Sequence, residues 1–503
     1  MTHAAGHREV LVGGAWLIAA RVADRLIGIV SISILTRLLK PVDFGVVAVA
    51  GTVVSAIELL SAFGFDWALV RRKDLLRDDL DTAWTLRLLF GLFTLLALTL
   101  LGPAAAAFYR QPALRVVLIA MGVNSLLASF ENIGTVFFRR EFAFHKEFLI
   151  RFASKLAGFC VTVALALRFR SYWALIAGIF AMRGVTVACS YLFHPYRPRL
   201  SLKSTRELIG FSSWLLFGNV IEYCRQKFGD LYIGRVYGAA INGLFAVAGE
   251  IAVVPLTEVA APINRAAYSK YTADVHANRG LGPSYVTIAP LIWLISLPMA
   301  VGAGIVAPEI VRVLLGPQWQ GAQAVLRWLA AGTAFTVVTA NTHYVYWALG
   351  HSRVVAGLSF AGAVIIVPAT IICSHFFGYT GVAMAFALTS SLLIPINFTF
   401  LRRLAGIRFS DLWARVWRVA LATVVMSLTV TLIYPPRQPS DISAAFFTLL
   451  GKVSIGVCVY VVALYLAWLA CGKPDGPERA IFATAQRVTN RWKTHWLRRA
   501  GAP

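Results

Sequence analysis

An all-α protein that crosses a membrane about fourteen times is predicted by three observations. Hydrophobic residues make up 58% of the 503 residues and charged residues only 14%. The apolar residues gather into runs of bilayer-spanning length, ~20 residues each. The polar connections between these runs are too short to fold as soluble domains, so any chemistry lies within the membrane or at its faces.

The spans are centred near Asp24, Val54, Leu95, Asn124, Val161, Arg183, Glu222, Pro255, Trp293, Thr336, Val364, Ala387, Val424 and Cys458. A backbone in hydrocarbon has to satisfy its own hydrogen bonds, which makes each run a helix. The first ten residues are polar and basic, and the run after them is longer than a signal-peptide core. The first span therefore reads as an uncleaved anchor.

Orientation follows from the basic residues. With a cytoplasmic N-terminus, the even-numbered loops and both tails carry roughly 26 Lys and Arg against about 9 on the other side. They include the Arg71, Arg72, Lys73 cluster, Arg139 and Arg140, the Arg197 to Arg206 stretch, and Arg402 and Arg403. Both termini are expected in the cytoplasm. The same distribution accounts for most of the net charge of +24. Topology and anionic head groups explain that excess better than nucleic acid does, and no nucleic-acid module is present. The six cysteines lie in or beside apolar spans without metal-ligand spacing, so neither a disulfide nor a metal is expected. No cofactor is expected either.

Laid on itself at an offset of 198, the sequence pairs Trp16 with Trp214, Asp24 with Glu222, Arg37 with Arg235, Gly45 with Gly243, and the run from Ala48 to Gly51 with that from Ala246 to Gly249. An ungapped repeat of this kind predicts two parallel six-helix lobes. The boundaries are an N-terminal lobe 1–195, a cytoplasmic linker 196–208, a C-terminal lobe 209–405, two additional helices in 406–472, and a basic cytoplasmic tail 473–503. In the tail, Ile481, Phe482, Ala485, Val488, Trp492 and Trp496 recur at helical spacing among basic residues, which suits either a helix on the cytoplasmic leaflet or a disordered basic tail.

The charges inside the spans are the candidate functional residues. Arg21, Asp24, Arg25 and Gly28 are three and four residues apart and share one face of the first helix. A charge at mid-bilayer costs ~2.5–3.5 kcal/mol even on gentle scales, so that face is expected to look into protein or a hydrated cavity. The seventh span repeats the theme with Glu222, Arg225, Lys227 and Asp230, Lys227 lying well round the helix from Arg225. Glu58, Arg183, Glu250 and Glu258 add further charges. Arg87, Arg151, Lys155 and Arg265 lie nearer the cytoplasmic ends and read as snorkelling side chains. Spans nine to fourteen read as nearly free of mid-membrane charge.

Arginines in a low-dielectric cavity suit phosphate or pyrophosphate, because the guanidinium fork matches its oxygens and stays charged at any biological pH. Acids beside them suit a coupling proton or cation. The alternative is that Arg21 with Asp24, and Arg225 with Glu222, are pairs that fix helix packing. The tripeptide Asp43-Phe44-Gly45 and the sequon at Asn397 are chance matches, one lacking any other kinase feature and the other lying inside an apolar span. Prolines at Pro255, Pro262, Pro290, Pro298, Pro368 and Pro395 suit kinked helices, whether for motion or for packing.

Several stretches resemble polysaccharide-export flippases of the Wzx type, nearest the colanic-acid and lipopolysaccharide exporter branch of the superfamily that holds the lipid II flippase and the MATE drug exporters. These are Leu35 to Ala50 (LTRLLKPVDFGVVAVA), Phe63 to Asp74 (FGFDWALVRRKD), the turn Phe138 to Glu141, and Arg199 to Ala248 with Phe211, Trp214, Asp230, Ile233, Gly234, Arg235 and Gly243. The resemblance is dense up to about Tyr271. It implies a bacterial inner-membrane protein with two six-helix lobes around a central cavity, moving undecaprenyl-pyrophosphate-linked oligosaccharide between leaflets by alternating access. In the related flippases an arginine in an Arg-x-x-Gly context of the first helix contacts the head group, and Arg25 with Gly28 matches that pattern. Their second arginine is absent, Ser31 and Ile32 occupying its place, and Arg21 is the substitute one turn earlier.

The expected site is thus Arg21, Arg25, Arg183, Arg225 and Lys227 for the pyrophosphate, with Asp24, Glu222, Asp230 and Glu258 orienting them or carrying Na+ or H+. The last two spans are expected to guide the prenyl tail, and membrane lipids and a polysaccharide polymerase are further expected partners. A MATE-like cation-coupled drug exporter is the rival reading, and it would want an acid-dominated cavity. A lipid-linked glycosyltransferase or polymerase is a third, disfavoured for want of a sizeable loop with catalytic residues.

Overall fold

The demand that every backbone group be paired inside hydrocarbon is met here by helices alone among the described residues. The computed structural model describes residues 21–61, 77–140, 143–205, 213–435, 441–474 and 476–478. The stretch Phe63 to Asp74 and the amphipathic tail beyond Glu478 lie outside them. In chain order the long helices are α1 (21–38), α2 (Pro41–Ser61), α3 (Arg77–Phe108), α4 (Ala113–Ser129), α5 (Phe144–Phe169), α6 (Trp173–Phe193), α7 (Ser213–Val236), α8 (Gly238–Ala252), α9 (Ala261–His276), α10 (Gly282–Ile305), α11 (Ala322–Thr339), α12 (Ser352–Phe377), α13 (Tyr379–Ala405), α14 (Phe409–Ile433) and α15 (Ile442–Ala470). Helices α8 and α9 form one span, Gly238–His276, interrupted by a π-helical turn at Pro255–Ala260. Each of the fourteen expected span centres falls in its own helical span, Pro255 landing on that π turn. Ten of the spans are long and apolar enough to cross a membrane by themselves.

The helices group into two compact units, residues 1–246 with Leu314–Trp319, and Val247–Val313 with 320–503. In the first unit α3 packs on α4, α5 on α6, and α2 on α4 and α7. Val46, Val49 and Ala50 of α2 meet Leu98, Leu114, Leu118, Met121 and Ile176 in its core. Lipid is as apolar as leucine, so close approach of small residues decides such contacts. Along α5 and α6 the seam is Ser154 against Thr186 (Oγ to Oγ1, 2.9 Å), Gly158 against Gly178 and Met182, and Thr162 against Gly178.

The corner between α1 and α2 shows how sequence sets local geometry. Pro41 starts α2 where a missing N–H costs nothing. Asp43, dismissed in the sequence as part of a chance tripeptide, accepts from the Lys40 N–H at 2.9 Å and, with its other oxygen, from the Tyr172 N–H at 3.1 Å. The last turn of α1 leaves carbonyls without helical donors. Trp319 Nε1 donates to the Thr36 carbonyl at 2.8 Å and Gln318 Nε2 to the Leu39 carbonyl at 3.0 Å, while the Trp319 ring meets Phe44 edge-on at 5.2 Å.

The repeat is visible in the packing itself. A Cβ on Gly45 would lie 1.6 Å from the Ala239 carbonyl oxygen, and a Cβ on Gly243 would lie 1.9 Å from the Pro41 carbonyl oxygen. Gly243 is Gly45 plus 198, and Ala239 is Pro41 plus 198, so α2 and the first turns of α8 cross through equivalent contacts made twice. Gly51 and its equivalent Gly249 meet nothing within 4 Å.

The segment after α6 is an extended strap, not a loose linker. Asp81 of α3 accepts from the Tyr196 hydroxyl at 2.6 Å and the Arg199 N–H at 2.8 Å, and Asn132 Nδ2 donates to the Tyr196 carbonyl at 2.8 Å. Burial first, and then the bond to the Asp81 carboxylate, push the Tyr196 phenol well above its ordinary range.

In the second unit α10 packs on α11 and α14, α13 on α11 and α12, and α14 on α15. Asn397 is buried, with Thr342 Oγ1 donating to its Oδ1 at 2.9 Å and Tyr346 to its carbonyl at 2.7 Å. Among the described residues two fully buried ion pairs lie in this unit, with their bases on spans expected to be nearly free of mid-membrane charge and their acids outside the long helices. Lys452 of α15 reaches Glu309 at 2.7 Å, the two side chains being 5% and 1% exposed. Arg418 of α14 takes Glu478 with two bonds, at 2.9 and 3.3 Å, the side chains being 3% and 0% exposed.

Two outcomes follow for stability in detergent. Gly45→Ala and Gly243→Ala should each lower the thermal midpoint, overpacking costing about 1–3 kcal/mol, while Gly51→Ala leaves it unchanged or raises it; equal behaviour of the three would contradict the crossing. Lys452→Met should cost about 3–5 kcal/mol by stranding Glu309, and adding Glu309→Gln should recover most of that in a chemical unfolding titration.

Candidate functional site

Helix α1 supplies the first charged face. Over residues 21–30 no position is buried, apolar or charged, so this half of the helix packs only loosely against the other described residues, whereas Leu35, Thr36 and Leu39 further on are packed inside the first unit. Arg21, Asp24 and Arg25 occupy the loosely packed half. The Asp24 carboxylate is held by Lys155 of α5 at 3.1 Å and not by either arginine of its own helix. Arg21 and Arg25 have no ion-pair or hydrogen-bond partner among the described residues. On α6, Arg183 has a buried Nε with no acceptor.

Helix α7 treats its charges differently. Arg225 grips Glu222 with two bonds, Nε to Oε2 at 3.0 Å and Nη2 to Oε1 at 2.5 Å, and Gln226 Nε2 donates to the same Oε1 at 2.5 Å. Lys227 donates to Asp230 at 2.8 Å. Both pairs join positions three apart on one helix, the spacing that makes side chains neighbours. Tyr223 anchors this helix by donating its hydroxyl to the Thr52 carbonyl of α2. Glu58 of α2 accepts from Ser125 of α4. Glu258 sits in the π turn of the second unit, where Thr257 Oγ1 donates to it at 3.2 Å.

Geometry therefore divides the expected residues. The charges of α7 neutralise one another within the helix. Those of α1 and α6 do not, and an extra cation, Lys155, joins them through Asp24. Lys155 had read as a snorkelling side chain; its spacing along α5 carries no sign of an acid on another helix. Arg21, Arg25, Arg183 and Lys155 are four cations on α1, α5 and α6, and Asp24 is the one carboxylate bonded to any of them among the described residues; guanidinium and ammonium groups are donors suited to a phosphoryl group. Among the described residues no three His, Cys, Asp or Glu side chains come together as a metal site.

A second feature lies in the other unit. Helices α10, α14 and α15 enclose a cavity of about 460 Å³, lined by Leu294, Met299, Val306, Met426 and Val457, with Lys452 among its few polar groups. Met299 and Val457 are exposed at its rim, so the cavity is open to the surface of this unit.

The architecture agrees with what the chain is similar to. It aligns with the lipopolysaccharide biosynthesis protein WzxC of Escherichia coli (strain K12) at 23% identity, covering 85% of this chain and 88% of that one. It aligns with the succinoglycan biosynthesis transport protein ExoT of Rhizobium meliloti (strain 1021) at 24% identity, covering 66% and 67%. Its fold is similar to that of the lipid II flippase MurJ in an inward closed conformation, with a TM-score of 0.70 at 11% identity over 90% of this chain and 99% of that one. It is also similar to an inward-facing MATE family multidrug transporter, with a TM-score of 0.60 at 17% identity over 76% and 94%. A multi-pass membrane protein whose residues 34–324 match the family profile described as "Polysaccharide biosynthesis protein", this chain belongs to that family.

Proposed function

We propose that this protein is a flippase carrying undecaprenyl-pyrophosphate-linked oligosaccharide from the cytoplasmic to the outer leaflet of a bacterial inner membrane, by alternating access, for surface polysaccharide biosynthesis. The observation that carries the reading is the loosely packed half of α1, where Arg21 and Arg25 lack acidic partners among the described residues. An arginine without an acid is costly in a membrane unless an anion visits it. Among the substrates a polysaccharide pathway offers, the lipid pyrophosphate has the most charge and the best geometry for a guanidinium fork. The names of the relatives, lipopolysaccharide biosynthesis for one and succinoglycan transport for another, support the same class.

In this reading Arg25 and Arg21 hold the pyrophosphate, with Arg183 as a third donor. Arg225 and Lys227 are held in reserve by Glu222 and Asp230, and exchange of those pairs, like that of Glu258, is where a proton or Na+ would couple. The apolar cavity between α10, α14 and α15 suits the prenyl chain. Both termini face the cytoplasm, where the lipid-linked unit is made.

The rival, a cation-coupled drug exporter, draws on the MATE likeness in fold. It would need acids free of bases on the charged faces of α1 and α7, and there Asp24, Glu222 and Asp230 each have a basic partner.

Arg25→Ala should leave the protein level normal and reduce surface polysaccharide by at least tenfold, the loss of a charge-assisted contact of ~1.5–3 kcal/mol compounding over a transport cycle. The lipid-linked intermediate should accumulate in a form inaccessible to periplasmic probes. Wild-type export in that mutant would contradict the assignment.

A further inference from the structure

The α5–α6 seam fixes where its neighbouring side chains point. Ser154 faces Thr186, Gly158 faces Met182 and Thr162 faces Gly178, so four steps along one helix match four steps back along the other. Lys155 follows Ser154 by one position, and Arg183 follows Met182 by one. A step of one residue turns a side chain by about 100°. In an antiparallel pair those turns run in opposite senses seen from one end, which brings both side chains to the same side of the seam. Continuing the register sets Lys155 level with residue 185, two residues from Arg183, a separation of ~3 Å along the axes.

That side of the seam is also where α1 delivers its carboxylate. Asp24 reaches Lys155 at 3.1 Å, with Arg25 as the next residue on α1 and Arg21 one turn before it. Arg183 offers a buried Nε that no acceptor satisfies. Two helices therefore present two cations to the space that α1 borders, and a single carboxylate fills part of it. A carboxylate accepts from an ammonium in the geometry a phosphoryl oxygen would use, with a smaller negative charge.

We propose that Lys155 is a phosphate ligand of the transported lipid and that Asp24 is its placeholder, holding the ammonium until a pyrophosphate displaces the carboxylate. This rests on the flippase reading and extends it by a residue and by a role for Asp24. The exchange keeps Lys155 partnered in the empty protein. It also frees Asp24 when the substrate binds, and α1 loses its tie to α5 at that moment. Binding is thereby coupled to release of the helix that carries Arg21 and Arg25. Arg183, two residues away on the same side, takes a second phosphoryl oxygen.

The full chain purified in detergent can be titrated with farnesyl pyrophosphate, with farnesol as the uncharged comparison, by isothermal calorimetry. Wild type is expected to bind the pyrophosphate and not the alcohol. Lys155→Gln should weaken that binding about tenfold, the worth of one charge-assisted bond, and Lys155→Arg should keep most of it. Asp24→Asn should bind several-fold tighter, a gain that a misfolded variant cannot mimic. A pair that only holds the helices together would lower affinity alike in Lys155→Gln and Asp24→Asn, and that result overturns the proposal, as does an affinity unchanged in both. Arg25→Ala weakening the binding in the same series would leave the flippase reading standing. Equal binding of pyrophosphate and alcohol by wild type would overturn both.

Discussion

A charge in hydrocarbon needs a counter-charge or water, and this requirement orders the molecule. The basic side chains considered above fall into two groups. Arg225, Lys227, Arg418 and Lys452 each have an acid, on the same helix for the first two and 60 and 143 residues away for the others. Arg21 and Arg25 have no such acid among the described residues, and Arg183 keeps a buried Nε without an acceptor. Lys155 stands between the classes, paired with a carboxylate on the half of α1 that has no buried position. Arg418 and Lys452, whose pairs are buried, hold the scaffold. In the proposed reading the residues without acids are those that answer a visiting anion.

The packing around them suits that division. The second half of α1 is clamped by Trp319 and Gln318 at its last carbonyls, while the first half carries the unpaired arginines and is not buried. The α2–α8 crossing is held so tightly that neither Gly45 nor Gly243 has room for a methyl group. Rigid contacts at one end of a helix and freedom at the other let a side-chain event move the free end without unfolding the fixed one. Interior packing at near-crystalline density makes such elements switch between discrete arrangements more readily than they bend.

Much of the fold was legible because its signals are local. Apolar runs of spanning length are contiguous in the sequence, so each expected centre found its own span; that Gly45 and Gly243, paired in the repeat, make equivalent contacts is a finding of the structure. Pairings between distant residues were not legible. Nothing along α5 announces that Lys155 meets Asp24, and Glu478 near the tail gives no hint of Arg418 sixty residues before it. Lys452 is a single charge in a 29-residue helix whose remaining character is apolar, so averaging hides it. Asp43 was discarded as part of a meaningless tripeptide although both its oxygens accept backbone N–H groups. The polarity of the strap after α6 suggested a tether, because sequence shows that a residue can bond without showing to what.

The central claim is that the arginines of α1 serve a pyrophosphate-bearing lipid in transit. The most direct measurement is translocation by the purified protein in liposomes, using a fluorescent prenyl-pyrophosphate saccharide and an impermeant quencher to follow its leaflet. The account predicts protein-dependent movement that inorganic pyrophosphate inhibits and that the corresponding prenyl-linked saccharide without phosphate does not undergo. Movement of the phosphate-free lipid at the same rate, or no movement of either above that of empty liposomes under an imposed Na+ or H+ gradient or membrane potential, would contradict it.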